Sequence, residues 1–443
     1  MKPYDSSKNM TQRTWLRPLF QRAKAHGWRC LAMASELAAA PIYWGRCPAI
    51  HVGPAWVLLP GQSNTLHCGL AGLISIQHKS AGDATAFLPS LESPMPQIVA
   101  HPLHRCLETK LPLKAQYLGG SESLDKLYAA ACALKNEAAF LALYADPRLQ
   151  QTVVEIAGRL SVLVETEVSA LQRQLGYLAA ADAEIIDQRI EKLKDTAWCL
   201  KVEVLENIQK IRGLIGSGHR QADPREVKIF RNLNTVLNSI DRLEVRGRDS
   251  AGISLLFLVS AVTFEALNDE WNRAGHADLI RQRTSQTVLS NSSIGIHPQS
   301  GNGLTGITLT YKVAAEIGSL GDNIRFLRQE ITNDPILHIL ARHPHQFHTV
   351  SAHTRWASVG AITVPNCHPV DNATTTQNCA AKGMIHACLN GDIDNYLALK
   401  QQWEQAQDPI PAEITTDTKI IPLQIEHHLR QGCTVEEAFR RAV

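Results

Sequence analysis

The stretch with the densest chemistry in this chain is HTRWASVGAITVPNCHPVDN, residues 353–372. It places a histidine, Arg355 and Trp356 within four residues, and a second histidine, His368, stands before a proline. A planar guanidinium is a natural two-pronged partner for a carboxylate, and a neighbouring indole can cover a bound ligand. The stretch therefore offers a fixed guanidinium beside an aromatic side chain, a combination suited to binding a ligand, with a salt bridge at a strand end as the alternative.

Two further stretches carry groups that could act on such a ligand. Cys68 opens the run CGLAGLISI, which is typical of a buried strand. Its thiol could attack a carbonyl carbon, although a cysteine in this setting is most often a small core residue. In CLNGDIDNYLALK (388–400), Asn390-Gly391 predicts a turn before a helix.

The segment RLEVRGRDSAGI (242–253) predicts a helix end, a glycine turn and the start of a strand. Arg246 and Asp249 are available there to form an ion pair, and by itself the segment indicates only a structural pair.

In chain order, the motifs C-G, R-G-x-D-S-A-G, H-T-R-W-A, N-x-H-P, N-G-x-I-x-N-Y and T-D-T resemble those of class II glutamine amidotransferases. These are N-terminal-nucleophile (Ntn) hydrolases, and the resemblance is strongest to the glutaminase domain of glutamine:fructose-6-phosphate aminotransferase. It implies an α+β fold, an Ntn-hydrolase-type α/β/β/α sandwich that is incomplete at the C-terminus and carries a long inserted α-helical hairpin. It also implies hydrolysis of glutamine to glutamate and ammonia through a cysteine thioester.

The catalytic roles that the resemblance implies fall on three residues. Cys68 would be the nucleophile, with its own α-amine as the base, since an α-amine with a pKa of about 7.7–8.0 can accept the thiol proton. That requires cleavage after His67, so that Cys68 becomes the first residue. The side-chain amide of Asn390 and the backbone N–H of Gly391 would form the oxyanion hole.

The substrate-binding roles that the resemblance implies fall on four residues. Arg355 would grip the α-carboxylate of glutamine, and Asp417 would hold its α-ammonium group. Trp356 would form part of the pocket wall or lid. Ser358 stands in the position of a threonine that binds substrate.

Structural support is implied for Arg246, which would brace the nucleophile loop, and for His368 in the N-x-H-P turn. The sequence departs from the family pattern at Val359 and Leu389, where histidines are usual. These departures and the residues that precede Cys68 leave an alternative open: a catalytically silent Ntn-like scaffold or interaction protein with a coiled-coil hairpin.

The pattern along the chain predicts three parts. Residues 1–67 form a leader or propeptide, and residues 68–120 and 225–443 form a truncated type-2 glutamine amidotransferase domain. Residues 121–224 form the inserted hairpin, because apolar residues recur there at three- and four-residue spacing, and its tip is expected near 180–182. The proline-rich residues 77–120 predict a loop.

Composition limits the other possibilities. Net charge is +2, with 44 basic and 42 acidic residues, which gives no argument for nucleic acid or an anionic membrane. The longest apolar run near the middle, residues 251–262, is about half of the ~20 residues of a membrane span and predicts a buried strand or helix start. The ten cysteines form no C-x-x-C pair, and we expect a cytoplasmic protein with mostly reduced thiols.

The expected partners are glutamine and a sugar-phosphate acceptor, the latter bound by a missing C-terminal region or a partner chain. Neither a cofactor nor a metal is expected, and the oligomeric state stays open, a homo-oligomer included. A metal-dependent hydrolase built on HPHQFH (343–348) and on residues 427–428 is a weaker alternative, because no carboxylate or cysteine stands at matching ligand spacing.

Overall fold

The structure is a computed structural model that describes residues 49–52, 55–58, 68–76, 87–216, 222–299, 303–315, 319–375 and 383–442. Its contacts divide the chain into two compact units. We call Met1–Gln77 with Thr235–Val443 the sheet unit and His78–Asn234 the helical unit. Most of the expected leader, 1–67, lies outside the described residues.

The strands of the sheet unit are β1 (Ala49–Val52), β2 (Ala55–Leu58), β3 (Gly69–Ile76), β4 (Ser250–Ser260), β5 (Ser293–Gln299), β6 (Leu304–Ala314), β7 (Phe347–Arg355) and β8 (Ile385–Cys388). Five of them form one antiparallel sheet in the order β3-β7-β4-β6-β5. The three short strands form a second antiparallel sheet in the order β2-β1-β8.

Strand β4 forms the centre of the five-stranded sheet. The apolar run predicted as a buried strand or helix start is this strand, and it is buried from Ser250 to Val259. Both faces of β4 are covered, which explains why its sequence lacks the alternation of a half-exposed strand. In the register, Ser250 lies opposite Arg355 on β7. Gly69 at the start of β3 lies opposite Thr354, so the sheet brings the start of β3 to the end of β7.

The helical unit contains α1 (Phe87–Glu92), α2 (Met95–Ala100), α3 (Leu103–Glu108), α4 (Leu113–Gln116), α5 (Gly120–Ala133), α6 (Glu137–Ala145), α7 (Pro147–Gln174), α8 (Ala180–Trp198) and α9 (Asn207–Ile215). A π-helical segment, Cys199–Glu206, joins α8 to α9, and α10 (Pro224–Leu243) runs from this unit into the sheet unit. The two long helices expected from the periodicity are α7 and the α8–α9 run, and they pack against each other. Their connection ends just before the tip expected at 180–182.

The prediction of a loop for the proline-rich residues was wrong over residues 87–116, which contain α1 to α4. Pro102 and Pro112 directly precede α3 and α4, where a proline has no intrahelical N–H to lose. Arg189 of α8 fixes this region, because its guanidinium donates to the carbonyls of Leu113 (3.0 Å) and Lys114 (2.5 Å). The division between units thus falls at 77/78 and 234/235, whereas the pattern placed the insertion at 121–224.

The remaining helices of the sheet unit are α11 (Ala261–Arg273), α12 (Ala277–Thr284), α13 (Asp322–Thr332), α14 (Pro335–Arg342), α15 (Tyr396–Ala406), α16 (Ile420–Arg430) and α17 (Val435–Ala442). Helix α14 begins at a buried polar cluster. Asp334 accepts two hydrogen bonds from the guanidinium of Arg283 (2.7 and 2.8 Å), one from the Tyr311 hydroxyl (2.5 Å) and one from the Ile336 N–H (2.9 Å). This cluster joins α12, β6 and α14. None of the helices in the described parts of the chain combines the length and apolarity that a bilayer span requires.

Candidate active site

A cleft in the sheet unit brings together eight of the nine site residues that the sequence indicated. They are Cys68, Arg355, Trp356, Ser358, His368, Asn390, Gly391 and Asp417. The cleft is also lined by both positions that depart from the family pattern and by two residues that the sequence did not indicate: Val359, Leu389, Asp392 and Thr416. The ninth predicted residue, Arg246, lies in a short 3-10 turn after α10 and does not line the cleft.

The five-stranded sheet places Cys68 next to the end of β7. Because Gly69 pairs with Thr354, the residue before β3 comes beside Arg355 and Trp356. The Cys68 thiol donates to the Trp356 carbonyl at a sulfur–oxygen distance of 3.8 Å. A Cβ at Gly69 would come within 2.6 Å of the Thr354 hydroxyl oxygen, so this close approach explains why glycine follows the cysteine.

The Cys68 thiol is neutral in this environment. Burial is the main cause that raises the pKa of this thiol from 9.0 to about 11; the contact with the Trp356 carbonyl and the charge of Arg355 act against it, and the negative charges of Asp392 and Asp249 act with it. Nucleophilic attack requires the thiolate, so a base must remove this proton. While the His67–Cys68 peptide bond is intact, the α-nitrogen is an amide and cannot serve as that base.

Arg355 is held rigidly at the base of the cleft. Its side chain is only 3% exposed, and its guanidinium donates to the carbonyl of Ala361 (3.1 Å) and to that of Val359. Both carbonyls belong to the loop that follows β7, so the guanidinium and the loop orient each other. A guanidinium has five N–H donors, which leaves donors for a carboxylate in the cleft.

Asn390, Gly391 and Asp417 belong to two loops that are hydrogen-bonded to each other. The buried Asp417 carboxylate accepts the Ile393 N–H at 2.7 Å, which fixes the loop containing Asn390 and Gly391 against it. Gly391 has φ +146°, a conformation that favours glycine. The Asn390 side-chain amide makes no hydrogen bond to any described residue, so it is able to donate to a ligand. Burial raises the pKa of Asp417 from 3.8, and the nearby negative charge of Asp392 contributes.

His368 connects these two loops. Its Nδ1 accepts the Leu389 N–H at 3.4 Å, and its Nε2 lies 3.4 Å from the Thr416 hydroxyl oxygen. Its ring lies 4.5 Å from that of His353, measured between centroids. Burial and the neighbouring positive groups hold the pKa of His368 well below 6.5, and burial lowers that of His353 to about 3. Both imidazoles are therefore neutral at physiological pH.

Sequence reasoning missed the contacts of two carboxylates. Asp249 accepts the Ala357 N–H at 2.7 Å, and its own N–H donates to the Arg355 carbonyl at 3.2 Å, so it holds the loop that carries Trp356. Asp392 accepts a hydrogen bond from the Ser358 hydroxyl across the cleft. Its position directly after the N-G turn was the only signal in the sequence for its place at the site.

The described residues contain no group of three histidine, cysteine, aspartate or glutamate side chains placed to hold a metal ion. Within the stretch 343–348, His343 instead lies 2.8 Å from a carboxylate oxygen of Glu270, and His345 lies 3.0 Å from His348.

Part of the chain is similar to curated enzymes named glutamine–fructose-6-phosphate aminotransferase [isomerizing]. The enzyme of Bacillus subtilis is 34% identical over 91 residues, which are 20% of this chain and 13% of that enzyme. That of Methanothermobacter thermautotrophicus is 35% identical over 92 residues, 21% of this chain and 14% of its own length. The enzyme of Gluconobacter oxydans is 31% identical over 110 residues, which are 25% of this chain and 16% of that enzyme.

These matches relate about a fifth to a quarter of the chain to aminotransferases of that name. The chain matches only 13% to 16% of the length of these relatives. No protein-family model matches the chain, and no solved structure gives a significant match.

Proposed function

We propose that the cleft is the site of a glutamine amidotransferase that hydrolyses glutamine to glutamate and ammonia through a Cys68 thioester. The observation that carries the proposal is convergence: Cys68, Arg355, Asn390-Gly391 and Asp417 come from four separate stretches of the chain and line one cleft. A nucleophile, a carboxylate-binding group, an oxyanion hole and an ammonium-binding group are what hydrolysis of a free amino acid amide needs.

The proposed reaction assigns each step to a group in the cleft. The Cys68 thiolate forms a C–S bond to the carboxamide carbon, and the resulting oxyanion is stabilised by Asn390 and Gly391. When the C–N bond breaks, the nitrogen takes the proton that the base removed from the thiol and leaves as ammonia. Water then attacks the thioester carbon, the C–S bond breaks, and glutamate and the thiol are released.

Substrate positioning follows from two opposite charges that line the cleft, those of Arg355 and Asp417. Arg355 would bind the α-carboxylate by two parallel N–H···O bonds, and the buried Asp417 would accept from the α-ammonium group. Ser358 and Trp356 would complete the pocket, with the indole, 49% exposed, as its lid. The base would be the α-amine of Cys68 after cleavage of the His67–Cys68 bond.

Two finer statements belong to the same proposal. The two antiparallel sheets and the helices of the sheet unit would form an Ntn-hydrolase-type α/β/β/α sandwich. The ammonia would pass to a sugar-phosphate acceptor held by a further C-terminal region or a partner chain, as the name of the matched relatives suggests. Direct sequencing of the gene beyond the codon for Val443 tests the second statement, because the acceptor-binding part would follow there.

A catalytically silent scaffold is the second candidate function. The observation that favours it is the neutral, half-buried thiol of Cys68 with a pKa of about 11 in a chain where His67 precedes it. N-terminal sequencing and intact mass of the purified protein discriminate the two. A chain that keeps His67 attached to Cys68 favours the scaffold, and one that begins at Cys68 favours the enzyme.

The activity test compares the whole chain with a form that begins at Cys68. We expect the second form to release glutamate and ammonia in equal amounts from glutamine, and a glutamine-mimicking electrophile to label Cys68, located by peptide mass spectrometry. Cys68→Ala should abolish both, whereas Cys132→Ala in the helical unit is the matched control and should change neither. No glutamine hydrolysis and no labelling at Cys68 in the form that begins there would contradict the proposal.

A further inference from the structure

The turn that contains Asn366 and His368 holds the segment Thr415–Asp417 from two sides. The Asn366 side-chain oxygen accepts the N–H groups of Thr415 (2.7 Å) and Thr416 (3.0 Å). Two residues later, His368 Nε2 lies 3.4 Å from the hydroxyl oxygen of Thr416. This explains why an asparagine and a histidine stand two residues apart in the N-x-H-P turn.

The direction of the hydrogen bonds through His368 is determined by its contact with Leu389. A backbone N–H can only donate, so His368 Nδ1, at 3.4 Å from the Leu389 nitrogen, must be the acceptor and carry no proton. A neutral imidazole then carries its proton on Nε2 and donates it to the Thr416 hydroxyl oxygen. The Thr416 hydroxyl is left to donate to Asp417 Oδ1, 3.4 Å away.

The contacts form a chain of hydrogen bonds whose two ends meet on the loop 389–393. From the Leu389 N–H they pass through His368 and Thr416 to Asp417, and from Asp417 Oδ2 they return to the Ile393 N–H at 2.7 Å. Leu389 directly precedes Asn390, which belongs to the proposed oxyanion hole. Asp417 is the proposed ammonium-binding group. The imidazole of His368 therefore contacts a residue next to the proposed oxyanion hole, Leu389, and a residue next to the proposed ammonium-binding group, Thr416.

We infer that His368 is a positioning residue, held as its Nε2–H tautomer, that aligns the oxyanion-hole loop through Nδ1 and the ammonium-binding carboxylate through Nε2. The inference rests on the proposed function and goes beyond the structural role that the motif implies, because it assigns separate tasks to the two ring nitrogens. His353 contributes packing: it is fully buried, and its ring centroid lies 4.5 Å from that of His368.

The two tasks can be separated with two amide substitutions. His368→Asn keeps an acceptor near the position of Nδ1 and removes the contact with Thr416. His368→Gln places a donor near the position of Nε2 and removes the acceptor for Leu389. A role that was only structural would affect both variants in the same way.

The experiment measures glutamate binding by calorimetry on the full chain and glutamine turnover on the form that begins at Cys68. Because a misplaced group costs rate or affinity, His368→Asn should weaken glutamate binding about tenfold with kcat within about twofold of the unmodified chain. His368→Gln should lower kcat about tenfold and leave glutamate binding within about twofold. Thr416→Val, whose N–H is still held by Asn366, should behave like His368→Asn. His104→Asn on the exposed surface of the helical unit is the matched control and should change neither quantity.

Nitrogen-15 NMR of histidine-labelled protein gives a readout that is independent of activity. The His368 signals should show a proton on Nε2 and none on Nδ1. If the form that begins at Cys68 does not turn over glutamine, the proposed function is in question, while the tautomer and the glutamate affinities still decide the role of His368. A proton on Nδ1, or equal effects of the Asn and Gln variants on binding and turnover, would overturn the inference.

Discussion

Gly252→Ala is the substitution whose effect the structure determines most directly. Gly252 lies in β4, where a Cβ would come 2.1 Å from the backbone carbonyl oxygen of His368. Real Cβ contacts essentially never fall below 3.0 Å, so one of the two backbones must move by at least 0.9 Å (3.0 less 2.1). Both backbones are buried in the sheet unit, and His368 is held further by Leu389 and Thr416.

Overpacking of a buried site typically costs about 1–3 kcal/mol, and the backbone contact places this substitution at the upper end, about 2–3 kcal/mol. The lower backbone entropy of alanine in the unfolded chain offsets less than about 1 kcal/mol of this. Since the slope of unfolding free energy against urea is about 1–3 kcal/mol per molar for small proteins and rises with size, the slope here lies at or above the upper end and the midpoint should fall by roughly 0.5–1 M.

Urea unfolding followed by tryptophan fluorescence measures this loss. Gly306→Ala on β6 is the matched control, because that glycine is also buried in the sheet but a Cβ there would meet its nearest neighbour at 3.7 Å, an ordinary contact. We expect its midpoint to change little. If both variants unfold at the same urea concentration as the unmodified chain, the close approach of β4 to the His368 turn does not exist as described.

Two further predictions follow from buried ionisable groups. Burial alone would raise the pKa of the Asp334 carboxyl, but its hydrogen bonds from Arg283 and Tyr311 outweigh this and hold its pKa below 3.8. The carboxylate therefore contributes to the free energy of unfolding above the pKa that it has in the unfolded chain. This contribution is lost as the pH falls through its pKa in the folded chain. Asp334→Asn should cost about 3–5 kcal/mol at pH 7, because it leaves the Arg283 charge unpaired, and the difference from the unmodified chain should shrink in acid; equal urea midpoints at pH 7 would contradict this. In the uncleaved chain, Cys68 with a pKa of about 11 should react with iodoacetamide roughly 100-fold more slowly at pH 8 than a free thiol of pKa 9.0, with a rate that rises about tenfold per pH unit. A rate that levels off near pH 9 would show that burial does not raise this pKa.

Local pattern was sufficient for the elements whose burial is uniform. The apolar run from Ala251, predicted as a buried strand or helix start, is β4, and a strand covered on both faces has few polar positions to interrupt such a run. The three- and four-residue spacing of apolar residues likewise identified α7 and the α8–α9 run. The helices between 87 and 120 were missed because prolines are read as breakers, whereas Pro102 and Pro112 stand where a helix begins.

The candidate site was predictable as a set of motifs but not as a network of contacts. The resemblance indicated Cys68, Arg355 and Asn390, and the structure brings them to one cleft. The partners of Asp249 and Asp392 are a backbone N–H and a hydroxyl more than 30 residues away. Such contacts depend on how loops fold back over the sheet, and residue types along the chain carry no signal for them.

The acid–base chemistry of the cleft explains why the proposed activity depends on the α-nitrogen of Cys68. Among the described residues around the thiol, His368 and His353 have pKa values far too low to hold a proton at neutral pH, so neither imidazole can remove the thiol proton and pass it to the leaving nitrogen. The carboxylate of Asp392 raises the pKa of the Cys68 thiol and that of Asp417, so it does not promote ionisation of the thiol. An α-amine has a pKa of about 7.7–8.0, close to neutral pH, so it can accept the thiol proton and then donate it to the leaving nitrogen. Cleavage before Cys68 would therefore supply the one catalytic group that this cleft needs in addition to the side chains that already line it.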